Sequence, residues 1–178
     1  MVIKILASMQ TAEQRTFLKD LILMRNNNLK DEDVFIAKDL KRIRINSKAL
    51  RHMPPLMGTP IEDLDLNYSS VYRLYFLNGT AIKKLSIAYT NNSFVDLRAD
   101  TRNSLEDFNI EGTGYAHIPE NMKNLKILNI AGCKIGDYSR IKDLGSLNLL
   151  IINPSQIPPE DLSDINCGIL EKNVFIDP

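Results

Sequence analysis

Apolar residues recur along this chain in one short phrase, apolar-x-x-apolar-x-apolar, which returns six times in phase. It is carried by Leu40, Ile43 and Ile45, then by Ile61, Leu64 and Leu66, and then by Ile82, Leu85 and Ile87. It continues with Leu105, Phe108 and Ile110, with Leu125, Leu128 and Ile130, and with Leu147, Leu150 and Ile152. The starts at 40, 61, 82, 105, 125 and 147 are 21, 21, 23, 20 and 22 residues apart. Alternation at positions four and six predicts a short strand with those two side chains turned inward. Positions two, three and five then face solvent. The rest of each unit is too short for a long helix, so the strands are expected to stack in parallel with loops or short 3₁₀ turns returning behind them.

Two further positions keep the register. The ninth holds Lys48, Ser69, Thr90, Thr113, Cys133 and Ser155. Five of these are small donors able to satisfy a turn carbonyl. The eleventh is apolar or aromatic at Leu50, Val71, Tyr115, Ile135 and Ile157, but not at Asn92. At the front, Thr11 with Gln14 spells a capping box. Phe17, Leu18, Leu21, Ile22 and Met24 follow as a helical stripe expected to cover the first core layer. Asp33 to Ala37 and Gly168 to Ile176 read as additional strands. The chain thus divides into a cap over 1–39, six units over 40–165 and a capping strand over 166–178.

The phrases and their ninth-position hydroxyls resemble leucine-rich repeats, over roughly residues 40 to 165. Thr113 after Gly112, and the lead-in from Pro55 through Leu56, Gly58 and Thr59 to Pro60, are similar to bacterial repeats. Such repeats stand alone or are appended to bacterial serine/threonine protein kinases, and no kinase motif is present here. The resemblance implies an α/β solenoid, a right-handed array with a parallel concave sheet, an N-terminal helical cap and little helix on the convex side.

Composition adjusts this picture in a few places. A length of 178 residues suits one domain, and 44% hydrophobic with 25% charged residues suits a folded one. Lys plus Arg and Asp plus Glu number 22 each. The register accounts for much of that balance. Outward positions read Lys41, Arg42, Arg44; then Glu62, Asp63, Asp65; then Lys83, Lys84, Ser86; then Glu106, Asp107, Asn109. A sheet striped this way neutralises itself and offers phosphate no single-sign patch, so no nucleic acid is expected as partner. Zero net charge also leaves self-association open. Two cysteines, Cys133 and Cys167, form no disulfide framework or zinc motif. No stretch reaches the length of a membrane span and no signal-peptide core is present, so a cytoplasmic protein without membrane contact is the expectation.

The stripes end in the last two units. Ile127, Leu149 and Ile151 fall at outward positions, beside Lys126, Asn129 and Asn148. An exposed apolar cluster marks a contact site, unless the C-terminal segment folds over it or the register slips. These six residues are the candidate protein contact. The expected function is a module that binds a partner protein through the sheet and this patch. The alternative is a structural or self-associating accessory domain, with a homodimer, within a larger kinase-like or cell-surface protein. No cofactor, metal or catalytic residue is expected. His52 and His117 lie far apart in the register, and a Cys133–His117 pair would need a thiol that the pattern buries.

Overall fold

The computed structural model describes residue 12, residues 34–36, residues 39–90 and residues 97–174. The helix expected between Thr11 and Met24 lies outside these residues, Ala12 aside, as does Asn92 at the eleventh position of the third unit.

An eight-stranded sheet forms the body of the protein. Its strands are β1 (Val34–Ile36), β2 (Arg42–Ile45), β3 (Asp63–Asp65), β4 (Lys84–Ser86) and β5 (Asp107–Asn109), then β7 (Ile127–Asn129), β9 (Leu149–Ile152) and β10 (Gly168–Glu171). They lie side by side in chain order. β1 is antiparallel to β2, and all later pairs are parallel. Two short strands, β6 (Tyr115–Ala116) and β8 (Lys134–Ile135), pair in parallel as a separate ribbon. Among the described residues from 34 onward, helix is confined to α1 (Ala99–Ser104), α2 (Ser139–Lys142), α3 (Pro159–Leu162) and one 3₁₀ turn at Tyr75–Leu77. The fold class is therefore α/β with a mainly parallel sheet and few helices. None of the helices among the described residues is long and apolar enough to cross a membrane.

The pairing follows the repeated phrase residue for residue. Ile43 sits beside Leu64, Leu64 beside Leu85, Leu85 beside Phe108, Phe108 beside Leu128 and Leu128 beside Leu150. Every side chain at positions four and six is 0 or 1% exposed. Returning segments close the layer from behind with Leu50, Leu56, Val71, Leu77, Leu97, Ile118 and Met122, all buried. Each fully buried apolar side chain stabilises by roughly 1.5–3 kcal/mol before ordering entropy is subtracted.

In the second to fifth units the turn after the strand reverses through one left-handed residue at the eighth position. Tyr68, Tyr89, Gly112 and Gly132 have φ of 59°, 55°, 64° and 74°. At Gly112 a side chain is also excluded by space, since a Cβ there would lie 2.6 Å from the Tyr89 ring. The ninth residue then answers a buried carbonyl. Thr90 Oγ1 donates to the Ile87 carbonyl at 2.7 Å and Thr113 Oγ1 to that of Ile110 at 2.9 Å. The Cys133 thiol donates to the Ile110 carbonyl at 2.9 Å.

The last turn departs from the expected register. Ser155, not Pro154, takes the left-handed conformation, with φ 57°, and it is exposed. The internal hydrogen bonds pass to Gln156, whose Nε2 donates to the carbonyls of Ile130 and Cys133 at 2.8 and 2.9 Å. Pro154 forces this shift of one residue, because its ring holds φ near −65° and cannot enter the left-handed region. Ser155 is therefore not a ninth-position donor.

Candidate protein-contact face

The solvent face of the sheet carries the three outward rows. At position two, Lys41 reaches Glu62 at 3.2 Å, Lys83 reaches the same carboxylate at 3.0 Å, and Lys126 reaches Glu106 at 2.7 Å. Hydrogen bonds from Lys83 and Lys41 hold the Glu62 carboxyl below its ordinary value, and one from Lys126 does the same for Glu106. At positions three and five, Arg42 pairs with Asp63 at 2.6 Å and Arg44 with Asp65 at 2.8 Å. A depression of about 340 Å³ lies among these groups, Lys84, Asp107 and Asn109.

Towards β7 the polar row changes its work. Ser86 donates to Asn67 Oδ1 at 2.7 Å and receives the Asn109 amide at 2.9 Å. Asn109 and Asn129 each accept the N–H two residues ahead, from Glu111 and Ala131, at 3.0 and 3.1 Å. Asn129 also donates to Glu111 at 2.7 Å and is only 9% exposed. Its amide is thus engaged on both sides inside the fold. Among the six candidate contact residues it is the one the structure assigns to scaffolding.

The other five come together. Ile127 lies beside Leu149 in register, and Lys126 and Asn148 flank them, both exposed. Ile127, Leu149 and Ile151 are half-buried. The patch extends one strand further than the sequence indicated, because Ile151 lies beside Leu170, which is 50% exposed. Gly168, in register with Leu149, has no side chain to screen that edge. Asp107 stands at the boundary, between Lys84 and Ile127. Burial pushes its carboxyl up and Asp63 adds to this, against a smaller opposing effect of Lys84.

Beside the patch lies a cluster that the sequence reading missed. Glu111 is buried, and its carboxylate accepts the Tyr89 hydroxyl at 2.5 Å, the Asn129 amide at 2.7 Å and the Lys172 ammonium at 2.7 and 2.8 Å. Burial works to raise the Glu111 carboxyl. The hydrogen bonds from Lys172, Tyr89 and Asn129 outweigh it, and the group lies below the usual carboxylate value. Burial first, and then the bond to Glu111, push the Tyr89 hydroxyl up. The Tyr89 ring stacks on Tyr68 with centroids 4.9 Å apart. One signal was available: the seventh positions read Asn46, Asn67, Ala88, Glu111, Ala131 and Asn153, so Glu111 is the single charge in that row.

Exposed aromatic residues gather elsewhere too. His52 meets Tyr72 edge-on at 5.4 Å, and Arg73 lies 5.7 Å from both the Tyr72 and Tyr75 rings. Cys133 is buried, and burial pushes its thiol up, so it is held as the poorly nucleophilic thiol. Among the described residues no group of three or more His, Cys, Asp or Glu side chains is placed to hold a metal ion. Comparison with protein-family models, with curated proteins and with solved structures finds no match for this chain.

Proposed function

We propose that this chain is a leucine-rich-repeat solenoid whose work is to bind a partner protein, with no catalytic step of its own. In-phase strands about 21 residues apart and ninth-position donors on buried carbonyls support the repeat reading. Repeat arrays commonly use the open sheet face for recognition. The observation that carries the binding reading is the end of the charged position-three row, which gives way to Ile127 at β7. From there the outward positions hold Ile127, Leu149, Ile151 and Leu170 in adjacent registers, with Lys126 and Asn148 as a polar rim. An apolar centre within a polar rim is the anatomy of a protein-contact surface.

The test is comparative capture from extract of the source cells. Wild-type protein is set against the Leu149→Asp/Ile151→Asp double variant, followed by calorimetry with whatever protein the wild type retains. The expected result is a partner bound by the wild type and at least tenfold more weakly by the variant, on the scale of two desolvated anchors. Equal retention by both, with the variant's circular dichroism unchanged, overturns the reading.

A further inference from the structure

β10 is paired on one side only. It lies parallel to β9, and among the described residues no strand pairs with its other edge. Successive residues of a strand direct their backbone groups to alternate sides. The Gly168 N–H donates to the Asn148 carbonyl at 2.9 Å and the Lys172 N–H to that of Ile152 at 2.8 Å. Leu170, midway, shares that direction. The N–H and C=O groups of Ile169 and Glu171 therefore face the open edge. All of β10 is exposed, with Ile169 at 41% and Leu170 at 50%. Such an edge is a template for another strand.

We propose that the occupant is a second copy of this chain, docked by antiparallel pairing of β10 with its symmetry mate about a two-fold axis at Leu170. That register sets Ile169 opposite the mate's residue 171, so every outward backbone group of Ile169 and Glu171 on both copies finds a partner. The two copies of Leu170 then meet as a non-hydrogen-bonded pair, the closer of the two kinds. Each adjoins its own Ile151, so the apolar patches of the two sheets fuse into one. Neighbouring registers are worse. An axis at Glu171 opposes two carboxylates, and an axis at Ile169 pairs the two isoleucines on the other face but sets Leu170 opposite Gly168, so the apolar patches do not meet. Self-pairing through one patch on each subunit is the usual symmetry of dimers, and zero net charge puts no long-range repulsion in its way.

The dimer shares Leu170 and Ile151 with the protein-contact patch, but Glu171 lies outside that patch, so its variants separate the two readings. The experiment is light scattering with the full chain across a concentration series up to the solubility limit. Wild type is expected to pass from monomer to dimer as concentration rises. Glu171→Pro removes an outward N–H without breaking a bond to β9, and dimerisation is expected to weaken about tenfold or more. Leu170→Lys, which opposes two like charges at the axis, is expected to abolish it. In a Cys167→Ser background, Leu170→Cys is expected to oxidise to a covalent dimer and Glu171→Cys is not. A wild-type chain that stays monomeric overturns the proposal. So does a dimer indifferent to both Glu171→Pro and Leu170→Lys, or an edge that takes up only a strand from a different protein.

Discussion

Glu111 and Asp107 are two carboxylates on the same side of one sheet, and burial acts on both in the same direction. Their environments send them apart. Glu111 gathers an ammonium, a phenol and an amide and lies below its ordinary value, while Asp107 has no such set of donors and lies above its own. Linkage gives opposite signs. Stability from Glu111 is fully present above the unfolded value of about 4.3. It is lost as pH falls through the lower folded value. Glu111→Ala leaves the Tyr89 and Asn129 donors without their acceptor and should cost about 1–3 kcal/mol at neutral pH. Denaturant titration checks this, and a cost that does not shrink on acidification would count against it. For Asp107 the folded state holds its proton more tightly than the unfolded chain, so stability falls as pH rises through that interval. Asp107→Asn should therefore raise the melting temperature at neutral pH and leave it unchanged in acid, where both states are protonated.

At the scale of the strand, the alternating rows behave as one ladder. Lys83 donates to Glu62, and its ammonium also feels Glu106. Lys83→Glu would place three carboxylates abreast on neighbouring strands. The expected loss of stability is a salt-dependent one, large in dilute buffer and mostly removed at about 1 M NaCl, where the screening length is ~3 Å. A melting temperature insensitive to both substitution and salt would show that the ladder contributes nothing. This ladder was legible from the repeat register, because the template sets positions two, three and five outward and their charges change sign from unit to unit. What spacing did not reveal has a cause in each case. The shift to Gln156 arises because Pro154 cannot turn left-handed, an effect invisible to a template counted from Leu147. A capping strand was expected from Gly168 onward, but its register was off the template because the inward positions of β10 hold Ile169 and Glu171 rather than two apolar residues. Asn129 read as a surface contact because position five faces solvent in the template, and spacing alone does not show that the Glu111 carboxylate accepts its amide. The apolar patch was legible, since three large aliphatic residues at outward positions contradict the pattern of every earlier unit.

For the whole molecule, the buried apolar residues form a single connected core. Phe108 lies near its middle and is fully buried. Phe108→Ala should cost about 3–5 kcal/mol. The loss should appear as a lower midpoint of one transition, with amides of β4 and β7 losing hydrogen-exchange protection together. Two separate transitions would mean that the halves fold independently. The Lys172–Glu111 pair adds a constraint of another kind. It joins residues 61 apart in sequence, from the strand at the end of the sheet to the turn after β5, across β7 and β9. Under a mechanical load applied from the C-terminal side, this pin resists before any strand can peel away alone. Its rupture should release the β7–β10 segment as one length step in a force–extension trace. In Lys172→Met the same segment should come away strand by strand and at lower force.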